Sequence, residues 1–170
     1  ASTQYWPALR TCANEFGFCA GPDDVYLAQR GIRTMSIRLE RHARTALALA
    51  EWLIQRAEVS RVLYPPLASD PGHDVWKRDF TGASGLFGVV LKPAEADAVA
   101  AMLDGLELFG MGASWGGYES LILPTKPARM RSATSWSPEG PTLRIHAGLE
   151  DIDDLIADLA SGFMRLSAAA

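Results

Sequence analysis

Three side chains stand where binding chemistry would need them. Ser114 and Trp115 sit inside the glycine-rich stretch GASWGGYESLIL, Gly112 to Leu123, and Arg144 sits in TLRIHAG. Glycines of this kind let backbone approach another strand, or a ligand, where a Cβ would clash. Alternation along TLRIHAG points Leu143 and Ile145 one way, Arg144 and His146 the other. A guanidinium in the middle of a strand on a half-buried sheet needs a counter-charge, and no acidic residue lies beside it on its own strand. A ligand carboxylate held bidentately would satisfy it. An ion pair with Glu119 or another distant acid would do so too, and Trp115 fits plain core equally well.

Other chemistries find less support. His42, His73 and His146 are scattered and fall in no metal-ligand spacing. His73, in PGHDVW, reads as an exposed loop residue. Glu150, Asp151, Asp153 and Asp154 crowd one helix start, where the macrodipole favours them without any metal. No G-x-G-x-x-G and no Walker-type loop occurs. The net charge of −4 argues against a nucleic-acid role. No apolar run approaches the roughly 20 residues of a membrane span, and no signal peptide is visible. Two cysteines, Cys12 and Cys19, imply no disulfide framework and fit a reducing cytoplasm.

The elements that must position these residues follow from periodicity. Pro7 suits the first turn of a short helix to about Phe16. From Gly21 and Pro22 the pattern predicts one helix of about 35 residues, with Asp23 and Asp24 as cap and first-turn charges and a possible kink at Gly31. Its apolar side is Leu39, Ala43, Ala46, Leu47, Leu49, Ala50 and Leu53. Its arginines, Arg30, Arg33, Arg38, Arg41 and Arg44, read as a solvated or subunit-facing side. Strands are expected at VSRVLYPPL (ended by its two prolines), at LFGVVL, at LELFG, at YESLIL (stopped by Pro124) and at TLRIHAG, with SDPGHDVWKRDFTGASG as loop. PAEADAVAAMLDGL reads as a helix with Pro93 in its first turn and Gly105 after its end. A clean amphipathic helix with Leu149, Ile152, Leu155, Ile156, Leu159, Phe163 and Leu166 as its stripe closes the chain. The fold class expected is α+β: a mainly antiparallel sheet of about four strands with helices on one face, preceded by a long helix.

Four stretches add a resemblance: RGIRTMSIRLERH, GHDVWKRDFTGASGLF, FGMGASWGGYESLILPTKP and TLRIHAGLEDIDDLIADL. Together they closely resemble the C-terminal part of the Cys/Met-metabolism enzymes that use pyridoxal phosphate, a branch of the fold-type I transferase-like enzymes. The signature is SWGGYES, Ser114 to Ser120. The bacterial cystathionine β-lyases look most similar, since the related γ-synthases and γ-lyases usually carry Leu where this chain has Trp115. The resemblance implies that residues 1–35 are the tail of a large cofactor domain and a linking helix, and 36–170 a C-terminal small domain. It implies β-elimination of cystathionine to homocysteine, pyruvate and ammonia, in a cytoplasmic homotetramer. It also implies roles: Arg144 grips the substrate α-carboxylate, Ser114 helps position that carboxylate and the catalytic lysine, and Trp115 walls the pocket. None of Lys77, Lys92 and Lys126 matches the family's Schiff-base lysine, which lies upstream of the matching stretches. Ala113 stands where the family often has Tyr. Two rivals remain at this stage: a γ-lyase or γ-synthase of the same family, and a non-catalytic module or remnant.

Overall fold

The structure is a computed structural model that describes residues 2–169. It divides into two compact units, one running up to Ser36 and one beginning at Ile37. The first unit carries helix α1 (Trp6–Glu15) and helix α2 (Pro22–Arg33). None of its described residues is buried, and Tyr5, Trp6, Leu9, Phe16, Phe18 and Tyr26 are all more than half exposed. The long helix expected from Pro22 onward is two helices. Thr34 leaves helical geometry at φ −112° and ψ 4°, and both its N–H and its hydroxyl turn back to the Gly31 carbonyl. That competition between a Thr side chain and the backbone ends α2, and α3 (Met35–Leu53) begins at the next residue. Gly21, not an aspartate, is the N-cap of α2; Asp23 and Asp24 serve as first-turn charges only.

The second unit is an α+β layer around a mixed five-stranded sheet in the order β1-β2-β5-β4-β3, with one strand from each of the five stretches expected to supply one. Its strands are β1 (Val59–Leu63), β2 (Leu86–Leu91), β3 (Gly110–Met111), β4 (Leu121–Thr125) and β5 (Thr142–His146). All neighbours pair antiparallel except β3 with β4. The LELFG strand shrinks to β3 at its far end. The Asp158 carboxylate accepts from the N–H groups of Glu107, Leu108 and Phe109, which ties that backbone into a turn instead of a ladder. Pro124 does not stop β4. It stays in register opposite Leu143, beyond the point where β3 ends against Ile122, so its missing N–H costs no ladder bond there. The stretch expected as loop before β2 contains the short helix α4 (His73–Asp79), so His73 opens a helix. A turn made by Asp70, which accepts from the N–H groups of Tyr64 and Gly72, delivers the chain to it.

Helices α5 (Ala96–Asp104) and α6 (Ile152–Ala168) complete the unit. Pro93 lies before α5, whose N-cap is Glu95. The Asp151 side chain caps α6 by accepting from the Asp153 N–H at 2.9 Å. One sheet face carries Phe87, Val89, Ile122, Leu143 and Ile145. These join Leu49 and Leu53 of α3, Met102 of α5, and Leu155 and Leu159 of α6 in a single buried core. The stripe of α3 that enters it is Ala46, Leu49, Ala50 and Leu53, with His42 and Thr45 also buried; Leu39 is largely exposed. The opposite sheet face carries the row Leu63, Gly88, Arg144 and Leu123. This is the face that faces the glycine-rich loop.

Candidate functional site

Strand β5 lies at the centre of the sheet, so its side chains are held from both sides. Arg144 extends from it toward the loop that links β3 to β4. Its Nη2 donates to three successive carbonyls, those of Gly112 at 3.3 Å, Ala113 at 2.6 Å and Ser114 at 3.2 Å. Its Cζ lies 5.6 Å from the centre of the Trp115 ring, within cation–π range. Its Nε is buried with no hydrogen-bond partner. No carboxylate pairs with Arg144 among the described residues, so the ion pair with Glu119 is not formed. Trp115 is 61% exposed and so is not core. The sheet face around Arg144 opens into a groove of about 730 Å3, lined also by Arg61, Gly88, Lys126, Arg131 and Trp136. Four cations and no acid line it. Its size falls in the range of small-molecule sites.

The sequence brought forward Ser114, Trp115 and Arg144, and the structure gathers all three. Ser114 meets Arg144 through its carbonyl oxygen, while its side chain faces solvent. Two further clusters went unseen. Ser120 is fully buried; its N–H donates to Glu150 Oε1 at 2.6 Å and its hydroxyl to Oε2 at 2.8 Å. The Gly148 N–H closes the knot on the Ser120 oxygen at 2.8 Å. A Cβ at Gly148 would collide with the Tyr118 carbonyl, so only glycine lets the two backbones touch. Arg41, expected on a solvated side, donates to the Glu150 carbonyl at 3.0 Å and is half-buried. Glu150 is therefore no mere helix-start charge. It pins the far end of the loop to the end of β5.

The second cluster is a pair of buried imidazoles. His146 lies on the Arg144 face of β5, and its ring meets that of His42 edge to face, with centroids 5.0 Å apart. The Gly116 N–H donates to His146 Nε2 at 3.1 Å, and the Gly117 carbonyl lies 3.3 Å from the same nitrogen. Gly116 adopts φ +82°, a region that glycine enters without strain. Burial pushes both histidines below their ordinary 6.5. For His42, His146 and Arg38 add to that, while the Gly117 carbonyl and Glu150 oppose it. For His146 the Gly117 carbonyl and Glu150 oppose it, and Arg144 adds to it. Sequence offered one hint: a histidine two residues after the arginine shares its face.

The chain as a whole is similar to known proteins. Residues 2–164 match the family model of Cys/Met metabolism PLP-dependent enzymes, and the chain belongs to that family, whose cofactor is pyridoxal phosphate. It is 46% identical over 165 residues to cystathionine β-lyase of Escherichia coli K12, covering 95% of this chain and 42% of that protein. It is 45% identical over 170 residues to cystathionine β-lyase of Salmonella typhimurium, covering 98% of this chain and 43% of the relative. Among solved structures, cystathionine γ-synthase of Xanthomonas oryzae pv. oryzae in complex with cystathionine superposes with a TM-score of 0.82 at 34% identity. That likeness covers 99% of this chain and 45% of the synthase. The chain thus spans less than half the length of these relatives.

Proposed function

We propose that this chain is the C-terminal, substrate-holding portion of a pyridoxal-phosphate-dependent carbon–sulfur lyase. The lyase cleaves cystathionine by β-elimination to homocysteine, pyruvate and ammonia. The observation that carries this is the Arg144 cradle: a guanidinium with an orphaned, buried Nε, in a groove of four cations and no acid. A carboxylate is the ligand such a donor set favours. In this proposal Arg144 holds the substrate α-carboxylate, Ser114 orients that carboxylate from the loop, and Trp115 forms the pocket wall. Orientation of this kind can lower a barrier by several kcal/mol.

The residues gathered here do not fit as holders of the cofactor. Lys77, Lys92 and Lys126 are all exposed, without the desolvated surroundings of an activated amine. No step through the cofactor is therefore assigned to this chain. The unburied first unit, with its exposed aromatics, supports a place against further protein, as in a cytoplasmic homo-oligomer. The reading of Trp115 favours β-elimination, while the likeness to a γ-synthase structure favours a γ reaction. Product analysis of the full-length, cofactor-loaded protein separates them. Pyruvate from cystathionine is expected; 2-oxobutyrate would overturn the β reading.

A further inference from the structure

Beneath the glycine run lies a polar contact that substrate holding does not use. His146 Nε2 faces two backbone groups with opposite demands. The Gly116 N–H at 3.1 Å needs a lone pair, and the Gly117 carbonyl at 3.3 Å, which His42 also meets, can only accept a proton. One ring nitrogen cannot satisfy both at once. Its other nitrogen, Nδ1, is buried without a partner, as is Nε2 of His42. Gly116 follows Trp115, whose ring covers Arg144, and the carbonyl of Ser114 sits on Arg144 Nη2. The Gly116 amide is thus one residue away from the segment that contacts the guanidinium.

We propose that His146 is a proton-controlled positioning residue. Neutral, its Nε2 accepts from the Gly116 N–H; charged, it donates to the Gly117 carbonyl instead, and this exchange sets how the Trp115 loop sits on Arg144. The charged groups around it come from each neighbouring element. His42 and Arg38 lie on α3, Glu150 follows β5, and Arg144 is on β5 itself. Arg41 reaches the Glu150 backbone. The shorter contact to Gly116 assigns the neutral ring its proton on Nδ1. The incoming proton is taken from water, and no other bond is made or broken. The latch stands on this geometry alone, whereas its kinetic consequence rests on the substrate-holding role proposed for the loop.

The test is a titration of the 15N-labelled chain from about pH 8 to about pH 5, following the His146 ring nitrogens and the Gly116 amide by NMR. The Nδ1–H tautomer is expected at the alkaline end, and the Gly116 amide should move with the same midpoint as the ring. His146→Gln keeps an oxygen acceptor near the Nε2 position but takes up no proton, so in this variant the Gly116 titration should vanish. An unchanged Gly116 titration in the variant would overturn the proposal. So would an Nε2–H tautomer in the neutral wild-type ring, a result that needs no variant to fold. In the full-length, cofactor-loaded enzyme, wild-type KM should rise about tenfold on the acid side, the scale of one lost hydrogen bond, and His146→Gln should flatten that rise with kcat unchanged. A matching KM profile in both proteins, beside a positive titration, leaves the latch standing and strikes the substrate-holding role of the loop.

Discussion

The two faces of β5 differ as much as any two regions of the molecule, though five residues supply both. Leu143 and Ile145 are each 1% exposed and sit in the core with α3, α5 and α6. Arg144 and His146 alternate with them and aim their side-chain hydrogen bonds at the backbone of one loop, beside the rings of Trp115 and His42. The apolar face is held by burial, which is non-directional. The polar face is held by a few directional bonds at named atoms. One face makes the fold, and the other uses the fold's rigidity to aim two cationic or ionisable groups at one glycine-rich loop.

Substitutions should separate the faces. The largest effect expected is on the apolar side. Leu143→Ala should destabilise the second unit by about 2–5 kcal/mol, as truncations in a packed core do, read as a lower denaturant midpoint. Arg144→Ala should leave stability nearly unchanged and raise KM for an amino-acid substrate about a hundredfold in the full-length protein, the scale of one or two charge-assisted bonds. An unchanged KM would remove the carboxylate role. The smallest effect is on pH dependence. Both histidines titrate below 6.5 in the folded chain, so the unfolded chain binds protons the folded one refuses. Stability is full above pH 6.5 and falls as acid is added. The melting temperature should drop through that window, and a flat profile would mean the pair is not buried as described.

What was legible in the sequence tracks the same division. β2 was read at its true bounds, Leu86–Leu91, because a β-branched run announces a buried strand locally. The stripe of α6 was equally plain. Arg144 is legible because a strand arginine on a half-buried sheet needs a partner, whereas Ser114 and Trp115 owe their roles to the resemblance carried by SWGGYES. The break at Thr34 was hidden, since one hydroxyl competing for one carbonyl leaves no periodic trace. The turn at Glu107–Phe109 is hidden too, because the Asp158 that makes it lies 50 residues beyond Leu108, on α6. The Ser120–Glu150 knot and the His42–His146 contact join residues that only tertiary folding brings together. Each was read by its local neighbours alone, as a strand start, a helix charge or an isolated histidine.

The strand order has a consequence for how the molecule comes into being. β5 is the last of the five strands to be synthesised, yet it occupies the middle of the sheet, between β2 and β4. Until it emerges, the β1–β2 pair and the β3–β4 pair are two ribbons with open edges and no link. Such edges are templates for pairing with a neighbouring nascent chain. Closure must therefore wait for residues 142–146 to arrive from far along the chain, which makes the assembly of this sheet slow and non-local. The strand that carries the guanidinium is thus also the keystone, and a ribosome stalled before it releases two half-sheets that nothing yet joins.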